Sequence, residues 1–579
     1  MDSIWLKIKD RKFFVKKDLL CEYSDYFKAM FSGNYVENER KEISIDTLEP
    51  DIMEIILQYM NVGLIDLGDH TIPVIGEIAI AANFLQITEL IKQIEYILDF
   101  QLSESNWLEI MSLADQCYFP KLEKLAIVHG LLSFKSMKPE YIPTLKILSW
   151  YLSHPYLDCE SELDVYKFGA WWVMRQETGV DALLIILGCL DVTRITISEL
   201  SDIINMMKEF ENSLPAKVVE CLFYLLHTYD SIKTANLSKL KIKISIKFTE
   251  RVCNEVLNLV ENNSARKMNR TPVVPMWLLK ESKPELLPHC LYSYTKQNKF
   301  EKWLEVADKN LWGWSVVSWG LSKIVVICGE HGRGTGMFMQ DVKVYDTLRK
   351  SWTNHGVQLP SRRHAGFAVK GDSLYIVGGV GSFRVVLDTV IVYDLKQRSF
   401  RKIAKFADAI QSPAVCLHND MVYAAGHKYI YRFEDVGSTE QWNSVVRTDI
   451  RMSCMRSFKK YIYCTQSYFS HLYRFRPDED VRLQVITTFS SPPATMCNLY
   501  DRLLVFTRSV CRQSDIVSVE GYSGENIHEK PKVLYNETDT SMRVNDVAGS
   551  CVIITENPTD IKWEGTQYIK KYLQHYDNE

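Results

Sequence analysis

A short apolar segment recurs through the C-terminal half of the chain, and in three copies it ends in glycine. The copies start at residues 324, 374, 421, 461, 503 and 551, so the intervals are 50, 47, 40, 42 and 48 residues. A second apolar run follows four of them, at residues 342–345, 390–393, 430–433 and 472–475. A period of this length with several strands per unit is typical of a β-propeller, whose blades bury their faces only against one another.

We therefore predict an all-β propeller of six blades, degenerate in sequence, over residues 289–579. Residues 291–304 include Tyr292, Tyr294 and Trp303, and we expect them to supply strands that close the ring beside the C-terminal unit. The preceding residues 261–288 begin with a polar, basic stretch that is followed by Pro272 and Pro275, a composition that favours a linker.

The first 260 residues differ from the repeat region in their pattern of apolar residues. In residues 1–100, Ile4, Leu6 and Ile8 alternate as in a strand, and Ser24 stands where it would cap a helix. Residues 101–260 have helical periodicity and few glycines, so we predict a domain of packed helices. The predicted fold class is thus multidomain, with an α+β domain, an all-α domain and an all-β propeller.

Charge and hydropathy exclude several classes of protein. The 72 acidic and 68 basic residues give a net charge of −4, without the basic footprint of a nucleic-acid-binding protein. The longest apolar stretch, near residues 182–190, is too short to cross a bilayer, and the first ten residues lack the apolar core of a signal peptide. We expect a cytoplasmic protein with neither nucleic-acid nor membrane partners, and leave nuclear or cytoskeletal locations open.

The sequence offers little for catalysis. The 14 cysteines include no Cys-x-x-Cys pair and are predicted to be buried thiols, and the 13 histidines do not cluster at metal-binding spacing. The glycine-rich residues 329–336 precede a strand-like run, whereas a phosphate cradle requires a helix at that point. We therefore expect neither an enzyme nor a bound metal or cofactor.

Three stretches of sequence carry a family resemblance. The sequence RRHAGFAV at 362–369, the double-glycine strand at 374–379 and the Tyr-Asp strand at 390–394 together resemble the kelch repeat. The sequences SDYFKAMF at 24–31 and AANFLQI at 81–87 resemble the BTB (POZ) domain. The helical residues 101–260 resemble the BACK domain. This order resembles the kelch-like family: BTB at 1–100, BACK at 101–260, a linker at 261–288 and a kelch propeller at 289–579.

The resemblance implies a function, because many such proteins are non-catalytic substrate adaptors of cullin-3 RING ubiquitin ligases. The BTB domain would bind cullin-3 through Tyr26, Phe27, Tyr35 and Glu37, with Tyr35 where methionine is frequent in the family. A solvated loop acid is the alternative interpretation of Glu37, and an actin-associated cytoskeletal scaffold is the alternative function.

The oligomeric state of the BTB domain is left open. Family members usually carry a helix before the first BTB strand, and that helix supports a homodimer. Here the strand begins almost at Met1, and Lys16 stands in place of a usual histidine. A BTB homodimer is therefore expected only if other helices support it.

The propeller would bind the protein substrate. Kelch adaptors bind ligands through loops on one propeller face, often with arginines, and an arginine can hold a carboxylate in a bidentate manner. The resulting hypothesis is that the propeller binds an acidic peptide. The equally open alternative is that the candidate residues lie in ordinary solvated turns. The candidate substrate-binding residues are Arg362, Arg363, His364, Ser412, Arg451 and Arg543.

Overall fold

The structure is a computed structural model that describes most of the chain. The described residues are 3–32, 40–68, 70–176, 178–228, 237–267, 269–278, 288–437, 439–510, 515–524, 529–538, 542–544, 549–560 and 562–576. They form two compact units: Met1–Lys267 together with Pro558–Glu579, and Met268–Asn557. Within the described residues, no helix is both long and apolar enough to cross a membrane.

The first unit begins with a three-stranded sheet. Its central strand β1 lies antiparallel to β2 and parallel to β3. The alternating Ile4, Leu6 and Ile8 are all buried, because alternate side chains of a strand point to the same face. The elements of this part are β1 (Ser3–Ile8), β2 (Arg11–Lys16), α1 (Lys17–Tyr23), α2 (Asp25–Met30), β3 (Glu42–Ser44), α3 (Pro50–Val62), α4 (Ile72–Phe84) and α5 (Thr88–Gln101).

The predicted cap at Ser24 is confirmed. Its Oγ accepts a hydrogen bond from the backbone N–H of Phe27 at 3.2 Å and donates one to the carbonyl of Leu85 at 2.5 Å. The first contact satisfies a free N–H at the start of α2, and the second ties α2 to the end of α4.

A set of helices follows. They are α6 (Trp107–Gln116), α7 (Pro120–Leu132), α8 (Leu145–Ser153), α9 (Glu162–Arg175), α10 (Leu183–Gly188), α11 (Ile197–Met206), α12 (Leu214–Thr228), α13 (Leu237–Ile244) and α14 (Glu250–Glu261). All six residues of α10 are buried at the centre of the set. Helix α6 belongs to two cores, since Trp107 packs with the later helices while Ile110 and Leu113 pack with the first hundred residues.

The residues just before the second unit differ from the solvated linker predicted at 261–288. The Arg266 guanidinium is 1% exposed and forms two 3.2 Å hydrogen bonds with the carboxylate of Glu162. It also donates to the carbonyls of His154 and Cys189, each at 3.0 Å. The backbone N–H of Arg266 donates to Asp191 at 2.9 Å. This part of the predicted linker is anchored in the helical core.

The end of the chain also belongs to the first unit, whereas we predicted a propeller that continues to residue 579. Helix α15 (Gln567–Leu573) packs against α10, and Tyr568 and Ile569 are each 1% exposed. A β-carbon added at Gly188 would lie 2.6 Å from the Tyr568 ring, so this close packing requires glycine.

In the described part of the second unit, the strands form six sheets of four or more strands. Their strands are β4 (Arg270–Leu278), β5 (Pro288–Tyr294), β6 (Phe300–Lys309), β8 (Ser315–Trp319), β9 (Lys323–Ile327), β11 (Val342–Asp346), β12 (Ser351–Asn354), β13 (Gly366–Lys370), β14 (Ser373–Val377), β15 (Val390–Asp394), β16 (Ser399–Ile403), β17 (Val415–His418), β18 (Met421–Ala425), β19 (Tyr429–Val436), β20 (Thr439–Arg447), β21 (Met452–Phe458), β22 (Tyr461–Gln466), β23 (His471–Phe475), β24 (Gln484–Thr488), β25 (Pro493–Leu499), β26 (Arg502–Val510), β27 (Asp515–Tyr522), β28 (Lys532–Glu537), β29 (Met542–Val544) and β30 (Cys551–Ile554). The short strands β7 (Leu311–Trp312) and β10 (Glu330–His331) pair with each other.

Five of these sheets are antiparallel four-stranded meanders, starting with β8, β13, β17, β21 and β25. We call them sheets one to five. The last four are made of consecutive strands, whereas in the first sheet β10 lies between β9 and β11 in sequence and pairs elsewhere. The sixth sheet combines both ends of the unit, because β30 and β29 pair along β4, which continues to β5 and β6. Residues 291–304 were predicted to supply strands beside the C-terminal unit, and they lie in β5 and β6, in the same sheet as β29 and β30.

The sixth sheet also corrects two details of the sequence analysis. The repeated segments at 324, 374, 421, 461 and 503 are the second strands of sheets one to five, but Cys551 lies in the innermost strand of its sheet. The matching second strand is β4, inside the predicted linker. The sequence repeat does not distinguish these two strands, because inner strands and second strands are similarly apolar.

The inner strands of neighbouring sheets contact one another in the order β8, β13, β17, β21, β25 and β30, and β30 in turn contacts β8. The six sheets therefore follow one another as the blades of a β-propeller. Two kinds of loop lie at one end of the propeller: those that join second strands to third strands, and those that lead into the inner strands. We call this end the loop face.

Candidate protein-interaction surfaces

The predicted cullin-binding residues of the first unit differ in exposure. Phe27 is fully buried and stacks on Phe31 at a centroid distance of 6.1 Å, so it belongs to the core and does not form a contact surface. Tyr26 is half-buried, and its ring lies 5.1 Å from that of Phe84, which is 38% exposed. These two rings form a small aromatic patch at the ends of α2 and α4. Tyr35 and Glu37 lie outside the described residues.

In the second unit, Arg362 differs from the surface residue that we predicted. Its side chain is buried and donates to the carbonyls of Gly378 at 3.1 Å and Thr389 at 3.3 Å, and to the Thr389 hydroxyl at 3.3 Å. Burial lowers the pKa of this guanidinium below its ordinary value. Arg362 therefore joins the two edges of a loop in sheet two instead of facing a ligand.

Arg363 is mostly buried and forms an ion pair with the buried carboxylate of Glu330, in the glycine-rich loop of sheet one. The same carboxylate accepts the backbone N–H of Gly336 at 2.8 Å. Arg363 also exchanges two backbone hydrogen bonds with Val380, at 2.9 and 2.8 Å. It therefore holds a loop of sheet one against a loop of sheet two.

His364 and Ser412 extend this connection. The N–H of His364 donates to the carbonyl of Gly313, and the N–H of Ser412 donates to the carbonyl of His364, each at 2.8 Å. Both residues have left-handed backbones, with φ of 52° and 53°. The structure thus brings Arg363, His364 and Ser412 together as residues that join sheets one, two and three.

The other two predicted residues lie apart from this group. Arg451 is exposed, and its carbonyl accepts the N–H of Ser467 at 2.9 Å in sheet four. Arg543 lies in β29, where it is paired with Trp277 in β4, and its side chain is outside the described part of the chain.

Sequence reasoning missed the most exposed group on the loop face. Phe383 is 99% exposed at the tip of a hairpin in sheet two, and Met337 is 61% exposed in the glycine-rich loop of sheet one. Arg333 and Arg384 are exposed in the same two loops. The usable signal was the length of both loops, which join a second strand to a third strand in sheets one and two.

The described residues show no group of three or more side chains arranged to hold a metal ion. Twelve of the described cysteines are buried, which confirms the prediction of buried thiols, and burial raises the pKa of Cys189 and of Cys328 to about 12.

Comparison with known proteins adds two family matches. The BTB/POZ domain family matches residues 3–102, and the kelch motif matches residues 361–407. These stretches coincide with β1 to α5 and with sheet two.

Individual relatives match shorter parts of their own length. Kelch-like protein 40b of Danio rerio is 30% identical over 189 residues, which are 32% of this chain and 30% of that protein. Kelch-like protein 28 of Homo sapiens is 31% identical over 113 residues, 20% of this chain and 19% of that protein. Trishanku of Dictyostelium discoideum is 42% identical over 69 residues, 12% of this chain and 10% of that protein.

The matched stretches therefore span less than a third of each of these relatives. They are nevertheless accompanied by the expected architecture, in which an α+β domain and a helical region precede a propeller of six sheets. Together, the two family matches, the kelch-like relatives and this order of folds support a BTB–kelch family protein.

Proposed function

We propose that this chain is a substrate-recognition adaptor of a cullin-3 RING ubiquitin ligase. The observation that carries the proposal is the presence in one chain of a BTB domain at residues 3–102 and a kelch propeller with an exposed loop face. The BTB domain binds cullin-3, and the propeller binds the protein to be ubiquitinated. The adaptor supplies proximity and leaves the covalent chemistry to other subunits, because raising the local concentration of a substrate is enough to accelerate transfer.

The cullin contact is assigned to Tyr26, Tyr35 and Glu37. Tyr26 supports this assignment because its ring lies half-exposed against that of Phe84. In the sequence, Tyr35 lies two residues before Glu37, a pattern that suits an interface in which the apolar residue is buried and the carboxylate accepts a charge-assisted hydrogen bond. Phe27 contributes indirectly, as a core residue that holds α2 in place. The setting of this function is the cytoplasm.

The test is a binding measurement with the purified N-terminal domain of cullin-3. The full chain should bind, and Tyr35→Ala/Glu37→Ala should abolish or strongly weaken binding. Tyr468→Ala is a suitable control, because it removes a ring that is 86% exposed in the other unit. Equal and negligible binding by the wild type and the double variant would refute the adaptor assignment. In that case cosedimentation with filamentous actin tests the alternative of a cytoskeletal scaffold.

A further inference from the structure

The segment around α13 has an unusual composition for this chain. Residues 231–249 contain five lysines and no acidic residue, although the whole chain has a net charge of −4. Lysines alternate there with apolar residues, in the sequence KLKIKISIK at 239–247. The small net charge therefore conceals a local concentration of positive charge. A basic helical segment interleaved with large apolar residues is typical of surfaces that bind anionic partners.

Helix α13 has apolar side chains on two sides, and only one side lies in the core. Leu240 and Ile244 are fully buried in the core of the helical region, where α13 packs against α12 and α14. Ile242 lies between them in sequence and points away from the core, since two residues advance a helix by just over half a turn. Ile242 is 68% exposed, and Ile246 in the following turn is 78% exposed. The buried pair thus anchors two isoleucines that project into solvent.

Lysines flank these isoleucines. Lys241 and Lys247 are both exposed, and within the described residues neither forms an ion pair. Nζ of Lys247 lies 4.4 Å from the centre of the Tyr224 ring, a contact that orients the ammonium group without neutralising its charge. The next acidic residue, Glu250, stands in the first turn of α14, where the helix dipole stabilises it. We call Lys241, Ile242, Ile246 and Lys247 the basic edge.

The form of the basic edge distinguishes between classes of anionic partner. A folded protein needs a pocket for each projecting side chain and a much larger contact, since stable protein interfaces cover about 800 Å² on each partner. A polypeptide that wraps around α13 would have to displace Leu240 and Ile244 from the core. A fluid lipid surface requires neither, because single apolar side chains enter it while the lysine ammonium groups stay at the level of the headgroups.

We propose that the basic edge binds the surface of an anionic lipid membrane. Ile242 and Ile246 enter the boundary between headgroups and acyl chains, and the ammonium groups of Lys241 and Lys247 pair with the anionic headgroups. This inference goes beyond the adaptor function and does not depend on it. It suits the cytoplasmic setting proposed above, because the cytoplasmic leaflet of a membrane has a negative surface potential.

The proposed contact is peripheral and reversible. Two apolar side chains and two lysines bind far more weakly than a membrane-spanning helix, so the membrane concentrates the chain at its surface without anchoring it. The proposal differs from our expectation of no membrane partner. That expectation considered only the net charge and segments long enough to cross a bilayer, and neither bears on a local basic and apolar surface.

The test is cosedimentation of the full chain with vesicles of phosphatidylcholine alone and with vesicles that also contain phosphatidylserine. The chain should bind only the second kind, and added salt should weaken binding because it screens the lysine charges. Lys241→Gln/Lys247→Gln should weaken binding about thirtyfold, since each lysine near an anionic surface contributes about a factor of five. Ile242→Ser/Ile246→Ser should weaken it about tenfold or more, because the apolar contact is lost.

Two matched controls lie on and beside α7 in the same unit. Lys121→Gln/Lys124→Gln removes the same charge from two other exposed lysines, and Tyr118→Ser removes a ring that is 89% exposed. Both should bind vesicles like the wild type, and thermal denaturation should show that every variant is folded.

Three results would overturn the proposal. They are equal binding to both kinds of vesicle, binding to neither kind, and unchanged binding by both variants of the basic edge. Binding of soluble polyglutamate without binding of vesicles would assign the basic edge to an acidic protein instead. Because the assay contains no cullin-3, its failure is distinct from failure of the cullin contact.

Discussion

The buried ion pair between Arg266 and Glu162 allows a quantitative prediction about the end of the helical region. Both side chains are 1% exposed, and Arg266 also donates to the carbonyls of His154 and Cys189. Arg266→Met removes the positive charge and leaves the Glu162 carboxylate in the core with Arg194, at 3.3 Å, as its remaining ion-pair partner among the described residues. Removing one partner of a buried pair costs about 3–5 kcal/mol, because the other charge remains uncompensated.

The assay is hydrogen exchange of the amides of α9 and α10 in the full chain, which reports local opening even where two units unfold separately. A loss of about 3–5 kcal/mol corresponds to exchange that is roughly a hundredfold to a few thousandfold faster. Arg175→Met is the control, since Arg175 pairs with Glu140 at 3.4 Å with 60% of its side chain exposed. An exposed pair of this kind is worth at most about 1 kcal/mol.

A double variant separates the charge effect from packing. In Arg266→Met/Glu162→Gln the uncompensated carboxylate is gone, so the double variant should lose less stability than the sum of the two single variants. If Arg266→Met costs no more than Arg175→Met, the segment at Arg266 is not held by this pair and the reasoning is wrong. Additive losses would likewise show that burial of an unpaired charge is not the cause.

Three further predictions concern stability. Tyr568→Ala leaves a cavity where its ring packs against Gly188, and should weaken the packing of α15 by about 3–5 kcal/mol of free energy. The measurement is the rate of proteolysis at the C-terminal segment, which should increase. Burial, and then the charge of Arg266, lower the pKa of His154 to about 4. Because the unfolded histidine takes up its proton near pH 6.5, about 3 kcal/mol of stability should be lost as the pH falls from 6.5 to 4, and His154→Gln should flatten this part of the urea-midpoint profile. Arg362→Ala leaves carbonyls of sheet two without their donors and should lower propeller stability by about 1–3 kcal/mol in thermal denaturation, whereas Arg451→Ala should not.

Much of the propeller was predictable because its strands repeat a simple pattern. The strand at 374–379 and its Tyr-Asp partner lie in adjacent strands of one sheet, as their spacing indicated. The phase of the last repeat was not predictable, since Cys551 lies in an apolar run that fits an inner strand as well as a second one. Pairing with β4, almost three hundred residues earlier in the sequence, is a long-range choice that local pattern does not encode.

The candidate site was less predictable than the fold. The sequence shows that Arg362 and Arg363 are charged, but only the fold shows that carbonyls and Glu330 surround them. Conversely, nothing local marks Phe383 as exposed, because a phenylalanine in an apolar loop is expected to be buried. Similarly, the seven-residue α15 has an apolar side, but its sequence does not reveal that α10 covers it.

The central proposal is that the BTB domain of this chain binds cullin-3 through Tyr35 and Glu37. The most direct measurement immobilises the cullin-3 N-terminal domain and follows retention of the full chain. The wild type and Tyr468→Ala should be retained equally, and Tyr35→Ala/Glu37→Ala should be lost. Negligible retention of the wild type, or equal retention of the wild type and the double variant, would contradict the proposal.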